Sequence, residues 1–222
     1  MEYFNDDSDK SFNTKQSSSQ IYLFIKRIVD ILVSLLALLM LSPIFLLVWI
    51  LNLVCSSNRG PLFYRQIRMG RNGQKFGMYK FRSMIRNAEE TLYKDEKLYA
   101  EYIKNNYKLK PECDPRITKL GRFLRRSSID EIPQFINILK GEMSLVGPRP
   151  VVEEELKEYD RNKLLSVKPG AMGLWQVKGR SKIGYPERAD IEMSYIDKAG
   201  MFFDLKVFVG NIVGIFNGKG AY

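Results

Sequence analysis

The chain has 222 residues, 45% of them hydrophobic, and a formal net charge of +10; this suits one domain with appendages and a substantial core. It contains no histidine, which excludes a Ser-His-Asp triad, a Cys-His pair and any His-containing zinc site. Its two cysteines, Cys55 and Cys113, form neither a CxxC motif nor a disulfide framework, which favours a reducing compartment.

The N-terminal part of the chain divides into a polar and an apolar segment. Residues 1–20 are rich in Ser, Asn and Asp without hydrophobic periodicity, which predicts a disordered tail. Residues 31–51 carry no charge and are long enough to cross a bilayer. The apolar run is too long for a signal peptide, and no small-residue cleavage site follows it. We therefore predict a membrane helix over residues 21–57, followed by a domain over residues 58–222.

Two features bear on how this helix sits in the membrane. Ser42-Pro43 lies at its middle, where proline removes a backbone hydrogen bond. Lys26 and Arg27 precede the apolar run and arginines follow it, so the positive-inside rule draws both ends toward the cytoplasm. A re-entrant helix bent at Ser42-Pro43 satisfies both features, and a spanning helix with a proline kink is the alternative.

The next segment combines a hairpin signal with a concentration of cations. Asn72-Gly73 stands between two strand-like runs and predicts a β-hairpin. Residues 52–88 contain no acidic residue. A surface of this kind suits nucleic acid, anionic lipid or phosphorylated substrates, whereas a merely solvated face normally carries both signs. The cations fall in two clusters: Arg59, Arg65, Arg68, Arg71, Lys75, Lys80, Arg82 and Arg86, then Arg116, Lys119, Arg122, Arg125 and Arg126.

Residues 88–110 are predicted to form one or two surface helices.

The stretch "RRSSIDEIPQF" then places two carboxylates inside the basic region. An apolar spacing of 3, 4 and 3 predicts a helix that ends at Gly141 and has Asp130 and Glu131 at its N-terminus. Ser128 and Glu131 have the spacing of a capping box. Helix capping and chemistry therefore both remain open for the carboxylate pair.

Three later segments complete the pattern. "MSLV" predicts a short strand leading into "GPRP", where two prolines stiffen the backbone around Arg149. This arginine either contacts a phosphate or base, or lies solvated on a rigid turn. Residues 202–216 are apolar enough for a helix in the membrane interface, and packing on the domain is the alternative.

Taken together, these motifs resemble the bacterial sugar transferases, the monotopic polyprenyl-phosphate phosphoglycosyltransferases. The likeness covers nearly all of residues 26–222, and "WQVKGRS" and "KGAY" resemble the exopolysaccharide and capsule branch. The resemblance implies a compact form without the extra N-terminal membrane bundle of larger members. The segments that carry it are "KRIVDILVSLLALLMLSPIF", "GPLFYRQIRMGRNGQKFGMYKFRSM", "DPRITKLGRFLRRSSIDEIPQFINILKGEMSLVGPRP" and "KPGAMGLWQVKGRS".

The resemblance implies an α+β fold, mainly helical with a small β-hairpin, on a monotopic protein with a re-entrant helix and amphipathic interfacial helices. It implies localisation at the cytoplasmic face of the cell membrane. Its partners would be a UDP-sugar, polyprenyl phosphate and the bilayer, without nucleic acid. A second copy of the chain and downstream glycosyltransferases are further candidate partners.

The implied reaction moves a sugar-1-phosphate from the UDP-sugar to polyprenyl phosphate and releases UMP. Asp130 would be the nucleophile, and Asp130 with Glu131 would hold Mg²⁺. The chemistry is consistent with the residues, since carboxylates attack phosphoryl groups and Mg²⁺ binds one or two carboxylates together with substrate phosphates. We also expect nearby arginines to favour the ionised carboxylate. The candidate substrate-binding residues are Lys80, Arg82, Arg125, Arg149, Gln176 and Arg180.

The alternative function is a non-enzymatic basic module that binds anionic lipid or nucleic acid. It would explain the net charge and the membrane segment. It would not explain a carboxylate pair within the basic region, because such a pair weakens anion binding. The sequence does not distinguish glucose, galactose or an N-acetylated hexosamine as the sugar.

Overall fold

The computed structural model describes residues 7–55, 60–105, 109, 112–179 and 183–216. Within them the fold is mainly helical with two small two-stranded sheets, which confirms the α+β class. The helices are α1 (Asp7–Met40), α2 (Ser42–Val54), α3 (Ala88–Lys94), α4 (Glu96–Lys104), α5 (Lys119–Arg126), α6 (Gln134–Lys140), α7 (Arg161–Leu164), α8 (Leu174–Lys178), α9 (Glu187–Lys198) and α10 (Met201–Phe216). The strands are β1 (Phe63–Met69), β2 (Lys75–Phe81), β3 (Ser144–Val146) and β4 (Gly170–Met172).

A break at Leu41 separates α1 from α2 and bends the pair by 53°. Pro43 lies in the first turn of α2 and has no N–H for the carbonyl of Leu39. The hydroxyl of Ser42 donates to this carbonyl over 2.8 Å. Pro43 thus removes one backbone hydrogen bond of the helix, and Ser42 replaces it with a side-chain hydrogen bond. In the described residues no single helix is long and apolar enough to cross a membrane. The two helices of this bent pair, taken together, have the length and apolar composition of a membrane segment.

The helix α1 begins at Asp7 and therefore extends through a region in which the sequence predicts a disordered tail. Nucleation is the costly step in forming a helix, and adding residues to an existing helix is cheap. The apolar second half of α1 can thus support a polar extension. The remainder of the predicted tail, residues 1–6, lies outside the described residues.

The predicted hairpin at Asn72-Gly73 is confirmed. Strands β1 and β2 pair antiparallel, with Phe63 opposite Phe81 and Tyr64 opposite Lys80. Asn72 and Gly73 take the positive φ angles of 57° and 75° that the turn requires. The hairpin therefore presents Lys80 at the end of β2, next to the chain leading to Arg82.

The side chain of Asn137 on α6 attaches this helix to the outer edge of β2. Its Oδ1 accepts from the backbone N–H of Tyr79 over 2.9 Å, and its Nδ2 donates to the carbonyl of Gly77 over 2.9 Å. Nδ2 also lies 2.7 Å from Glu142 Oε2. Asn137 is fully buried, so the hairpin and α6 are held together by two hydrogen bonds from a side chain that is shielded from water.

The predicted "MSLV" strand is confirmed as β3, which pairs parallel with β4 through Ser144 opposite Gly170 and Val146 opposite Met172. Just beyond β3 the two backbones approach so closely that a Cβ on Gly170 would lie 2.0 Å from the N of Gly147. Glycine at these positions allows β4 to support the start of residues 147–150, here called the GPRP loop.

The C-terminal helix α10 has one packed face and one exposed face. Val207 and Asn211 are buried against the domain. On the other side Phe202 is 91% exposed and Leu205 is 60% exposed. Packing on the domain, one of the two sequence interpretations, is therefore confirmed for one face, and the opposite face remains apolar and uncovered.

Candidate active site

The two carboxylates, Asp130 and Glu131, here called the dyad, lie in a short 3₁₀ turn formed by Ile129–Glu131. The prediction of one continuous helix from Ile129 is wrong, since α6 begins only after Pro133, although it does end at Gly141. The predicted capping box is also wrong. Ser128 has the left-handed angles φ 56° and ψ 16° and its side chain makes no capping hydrogen bond, because a capping serine needs extended backbone angles.

Asp130 is a buried carboxylate, 5% exposed. Its pKa is raised to about 6, mainly by burial; the charge of Glu131 adds to the rise, and Lys80 and Arg125 oppose it. The expectation that nearby arginines favour the ionised carboxylate is confirmed for Arg125, which lowers this pKa, but desolvation outweighs the cations and the net shift is upward. A carboxylate with this pKa is mostly ionised at neutral pH, yet it is held in an unfavourable environment.

Two cations, Lys80 and Arg125, act on the charge of the dyad, since both lower the pKa of Asp130. Lys80, at the end of β2, places its Nζ 2.8 Å from Glu131 Oε1. Arg125, in the last turn of α5, donates through Nε to the hydroxyl of Ser83 over 2.8 Å. Helix α5 is fixed there because Gly121 packs directly on the backbone of Ser83, where a Cβ would lie 1.8 Å from the carbonyl oxygen. Sheet, helix and turn thus bring together residues that the sequence separates.

Arg149 in the GPRP loop contacts the protein interior. Its Nη2 lies 3.6 Å from Glu155 Oε1, and its guanidinium lies 5.8 Å from the centre of the Trp175 ring. Its backbone N–H donates to Glu192 Oε2 over 3.2 Å. Burial lowers the pKa of Arg149, and Glu155 and other neighbours, among them Glu131, raise it by more. The loop therefore lies within electrostatic range of the dyad, and the solvated-arginine interpretation is wrong.

Two residues outside the predicted substrate-binding set, Arg68 and Glu155, support this loop. Arg68 is 7% exposed and donates through Nη1 to the carbonyl of Pro150 over 3.0 Å. Glu155 is 1% exposed and accepts from the backbone N–H of Val152 over 3.1 Å. Its carboxylate also lies 3.5 Å from Arg68 Nη1. Arg68 belongs to the acid-free basic stretch, but nothing in "VVEEELKEYD" distinguishes Glu155 from its acidic neighbours.

The other predicted substrate-binding residues have different surroundings. Arg82 is 7% exposed and donates to Asn52 Oδ1 on α2 over 3.3 Å, so it joins the bent helix to the hairpin. Gln176 accepts from the backbone N–H of Gly173 at the start of α8 and donates to the carbonyl of Ala171 over 3.4 Å. Both side chains thus have structural partners, and Arg180 lies outside the described residues.

The dyad has the chemistry of a magnesium site that is completed by substrate. Among the described residues no three or more Asp, Glu or Cys side chains cluster as a metal site. Mg²⁺ is usually held by one or two carboxylates, water and substrate phosphates. Glu131 raises the pKa of Asp130, and a bound divalent cation would relieve the repulsion behind this effect. The residues therefore fit the expected ion, which remains a prediction.

Comparison with known proteins places most of the chain in one family. The family model described as bacterial sugar transferase matches residues 21–218. An exopolysaccharide production protein ExoY from Sinorhizobium fredii is 41% identical over 202 residues, which cover 89% of this chain and 88% of the relative.

Two further relatives are named for their substrates. The undecaprenyl-phosphate galactose phosphotransferase of Salmonella typhimurium is 40% identical over 205 residues, covering 90% of this chain and 42% of the relative. The UDP-glucose:undecaprenyl-phosphate glucose-1-phosphate transferase of Escherichia coli is 36% identical over 214 residues, covering 92% of this chain and 43% of the relative. The chain thus spans less than half the length of these two proteins.

Proposed function

The chain belongs to the bacterial sugar transferase family, and we propose from this that it transfers a sugar-1-phosphate from a UDP-sugar to undecaprenyl phosphate and releases UMP. The observation that carries the proposal is the buried carboxylate of Asp130, whose pKa is lowered by both Lys80 and Arg125 against the effect of burial, inside the matched region. The names of the relatives support galactose or glucose as the sugar. A pure anion-binding module would gain nothing from this carboxylate.

We propose that Asp130 is the covalent nucleophile. One carboxylate oxygen attacks the β-phosphorus, the one attached to the sugar, and the bond from this phosphorus to the bridging oxygen breaks. UMP leaves with the electron pair, and a sugar phosphate remains on Asp130 as an acyl phosphate. An oxygen of undecaprenyl phosphate then attacks the same phosphorus, which releases the carboxylate and forms the lipid diphosphate sugar.

The surrounding residues match the charges of this cycle. A UDP-sugar brings a diphosphate whose leaving group gains negative charge, and positioned cations are the main means of stabilising it. Lys80, Arg125 and Arg149 are the candidates for this role. Mg²⁺ held by the dyad would neutralise phosphate oxygens during transfer. Because the pKa of Asp130 is about 6, the nucleophile is already mostly ionised at neutral pH.

We further propose that the protein is monotopic, with the bent α1–α2 pair re-entering the cytoplasmic face of the membrane. The 53° bend and the basic residues on both sides of the pair support this arrangement. Large apolar side chains are exposed along the pair and along α10, as membrane-facing residues would be. They include Leu32, Leu36, Leu39, Met40, Leu46, Trp49, Leu53, Phe202, Leu205 and Val213.

The direct test uses detergent-purified protein with UDP-glucose or UDP-galactose labelled in the sugar. With undecaprenyl phosphate and Mg²⁺ present, we expect UMP and labelled lipid. Without the lipid, the label should remain covalently attached to wild-type protein and be absent from Asp130→Asn. A strict requirement for both substrates before any UMP appears would contradict the covalent mechanism, and no UMP from any UDP-sugar would contradict the proposed function.

A further inference from the structure

The polar residues of α1 do not all face outward. The hydroxyl of Tyr22 donates to Asp204 Oδ2 on α10 over 2.8 Å, and the Lys26 ammonium forms an ion pair with the same carboxylate. The hydroxyl of Tyr195 on α9 donates to Asp204 Oδ1 over 2.6 Å. The side chains of Lys26 and Asp204 are 17% and 12% exposed. Three helices therefore meet at one shielded carboxylate.

This cluster also holds the last residue of β3. Lys26 Nζ donates to the carbonyl oxygen of Val146 over 2.9 Å, and the Tyr195 hydroxyl lies 3.3 Å from the same oxygen. Asp30, one turn further along α1, accepts from the hydroxyl of Ser144 over 3.0 Å and from the N–H of Leu145 over 2.8 Å. Side chains of α1 thus contact all three residues of β3.

The backbone that follows β3 and leads to Arg149 is also fixed. Gly147 donates to the carbonyl of Met172 over 3.1 Å, and the carbonyl of Pro148 accepts from Gly170 over 2.8 Å. Two prolines restrict the backbone of the loop. Helix α9 contacts the residue before the loop and a residue within it, since Tyr195 reaches Val146 and Glu192 reaches the backbone of Arg149. The backbone that connects the Lys26 contact at Val146 to Arg149 is therefore restricted along its length.

The same helix face also contacts the segment that follows the dyad. Arg27 donates to the carbonyls of Ile138 and Leu139 over 2.5 and 2.6 Å, at the end of α6. In the sequence, Lys26 and Arg27 indicate membrane topology through the positive-inside rule. In the structure both cations are directed into the domain, at the elements that carry the candidate site.

We propose that Lys26, together with Asp204 and Tyr195, is a positioning group for Arg149, so that the membrane helix sets the geometry of the nucleotide-sugar site. The inference rests on the proposed function of the site. It assigns Lys26 a role in substrate binding that topology alone does not require. Removing the ammonium frees the carbonyl of Val146 and lets the GPRP loop shift, so the substrate affinity that depends on Arg149 falls.

A double-mutant cycle tests this coupling. The variants are Lys26→Met, Arg149→Ala and the double variant, compared by UMP release from UDP-glucose or UDP-galactose in detergent, where topology plays no part. We expect Lys26→Met to lower kcat/KM by about 10- to 100-fold, the range typical of groups that orient a ligand-contacting residue, mainly through KM for the UDP-sugar. In the Arg149→Ala background the same change should have almost no further effect, as expected for coupled residues.

Three controls complete the experiment. Lys26→Arg keeps the positive charge and should restore most of the affinity. Lys94→Met removes a lysine from an exposed pair with Glu90 on α3, whose side chains are 75% and 55% exposed, and should change nothing. Tyr195→Phe removes the other donor to Val146 without altering the charge that flanks α1. It should reproduce the rise in KM, and it replaces Lys26→Met in the cycle if that variant does not fold.

The outcomes are distinguishable. Wild-type protein that releases no UMP would overturn the proposed function. Active wild-type protein in which the Lys26 and Arg149 effects simply multiply would overturn the positioning role and leave the proposed function intact. An unchanged KM in folded Lys26→Met and Tyr195→Phe would likewise overturn the positioning role and leave the proposed function intact.

Discussion

Replacing Asp130 with asparagine should abolish transfer and at the same time make the protein more stable at neutral pH. The pKa of this carboxyl rises from an ordinary 3.8 to about 6 in the folded chain, mainly through burial. One pKa unit corresponds to about 1.36 kcal/mol, so ionised Asp130 lowers the free energy of unfolding by about 3 kcal/mol at pH 7. Asparagine has nearly the same shape and carries no charge, so most of this amount should be recovered.

The pH dependence identifies the cause. A group whose pKa is raised by folding contributes stability below its unfolded pKa, and this stability is lost as the pH rises through the folded pKa. The advantage of Asp130→Asn should therefore be largest at about pH 8 and close to zero at about pH 4. For a chain of this size each kcal/mol corresponds to about 2–4 °C in Tm, so full recovery of about 3 kcal/mol would raise Tm by about 6–12 °C.

Thermal unfolding of purified protein at both pH values provides the measurement, with Asp114→Asn as the matched control. Asp114 is also buried, 2% exposed, but its carboxylate accepts from Arg116 Nε and Nη2 at 2.8 Å each. Removing its charge leaves a buried guanidinium unpaired, which should lower stability by about 3–5 kcal/mol. Equal or lower stability of Asp130→Asn at about pH 8, or a gain that does not depend on pH, would refute the reasoning.

Three further predictions concern activity and topology. In wild type, kcat/KM should fall about tenfold per pH unit below about pH 6, because free Asp130 is then protonated; a flat acid limb would argue against an ionised Asp130. Arg149→Ala should lower kcat/KM by about a hundredfold while Tm stays nearly constant, since Glu155 keeps Arg68 as a partner; unchanged kinetics would give the loop a purely structural role. A cysteine placed before Lys26 should resist membrane-impermeant reagents in intact cells or spheroplasts and become reactive in Pro43→Leu; labelling of the version that retains Pro43 would contradict re-entry.

Local signals explain which parts of the fold were predictable from the sequence. Asn72-Gly73 and Gly141 adopt positive φ angles that few other residues tolerate, so the hairpin and the end of α6 are specified by one or two residues each. Ser42-Pro43 likewise marks the helix break through the missing N–H of proline. The periodic spacing of apolar residues around these signals predicts the helices and strands that they bound.

The candidate site was less predictable, because its energetics depend on contacts between distant segments. The raised pKa of Asp130 comes from burial by several elements, which no count of neighbouring arginines in the sequence could show. The carboxylate partners of Arg149 lie on the 3₁₀ segment Glu153–Glu158 and on α9, in stretches without a recognisable motif. Even the capping box failed through a single backbone conformation, that of Ser128.

The Asn137 amide has a consequence for how the hairpin behaves while the chain is newly made. An isolated two-stranded hairpin leaves one row of backbone groups open on each side, and such edges recruit strands from other chains. By accepting from Tyr79 and donating to Gly77, the asparagine side chain occupies the hydrogen-bonding sites that one residue of a third strand would take. A single amide therefore blocks intermolecular pairing at this point of the β2 edge. Asn137→Leu would thus be expected to promote aggregation of the newly made chain.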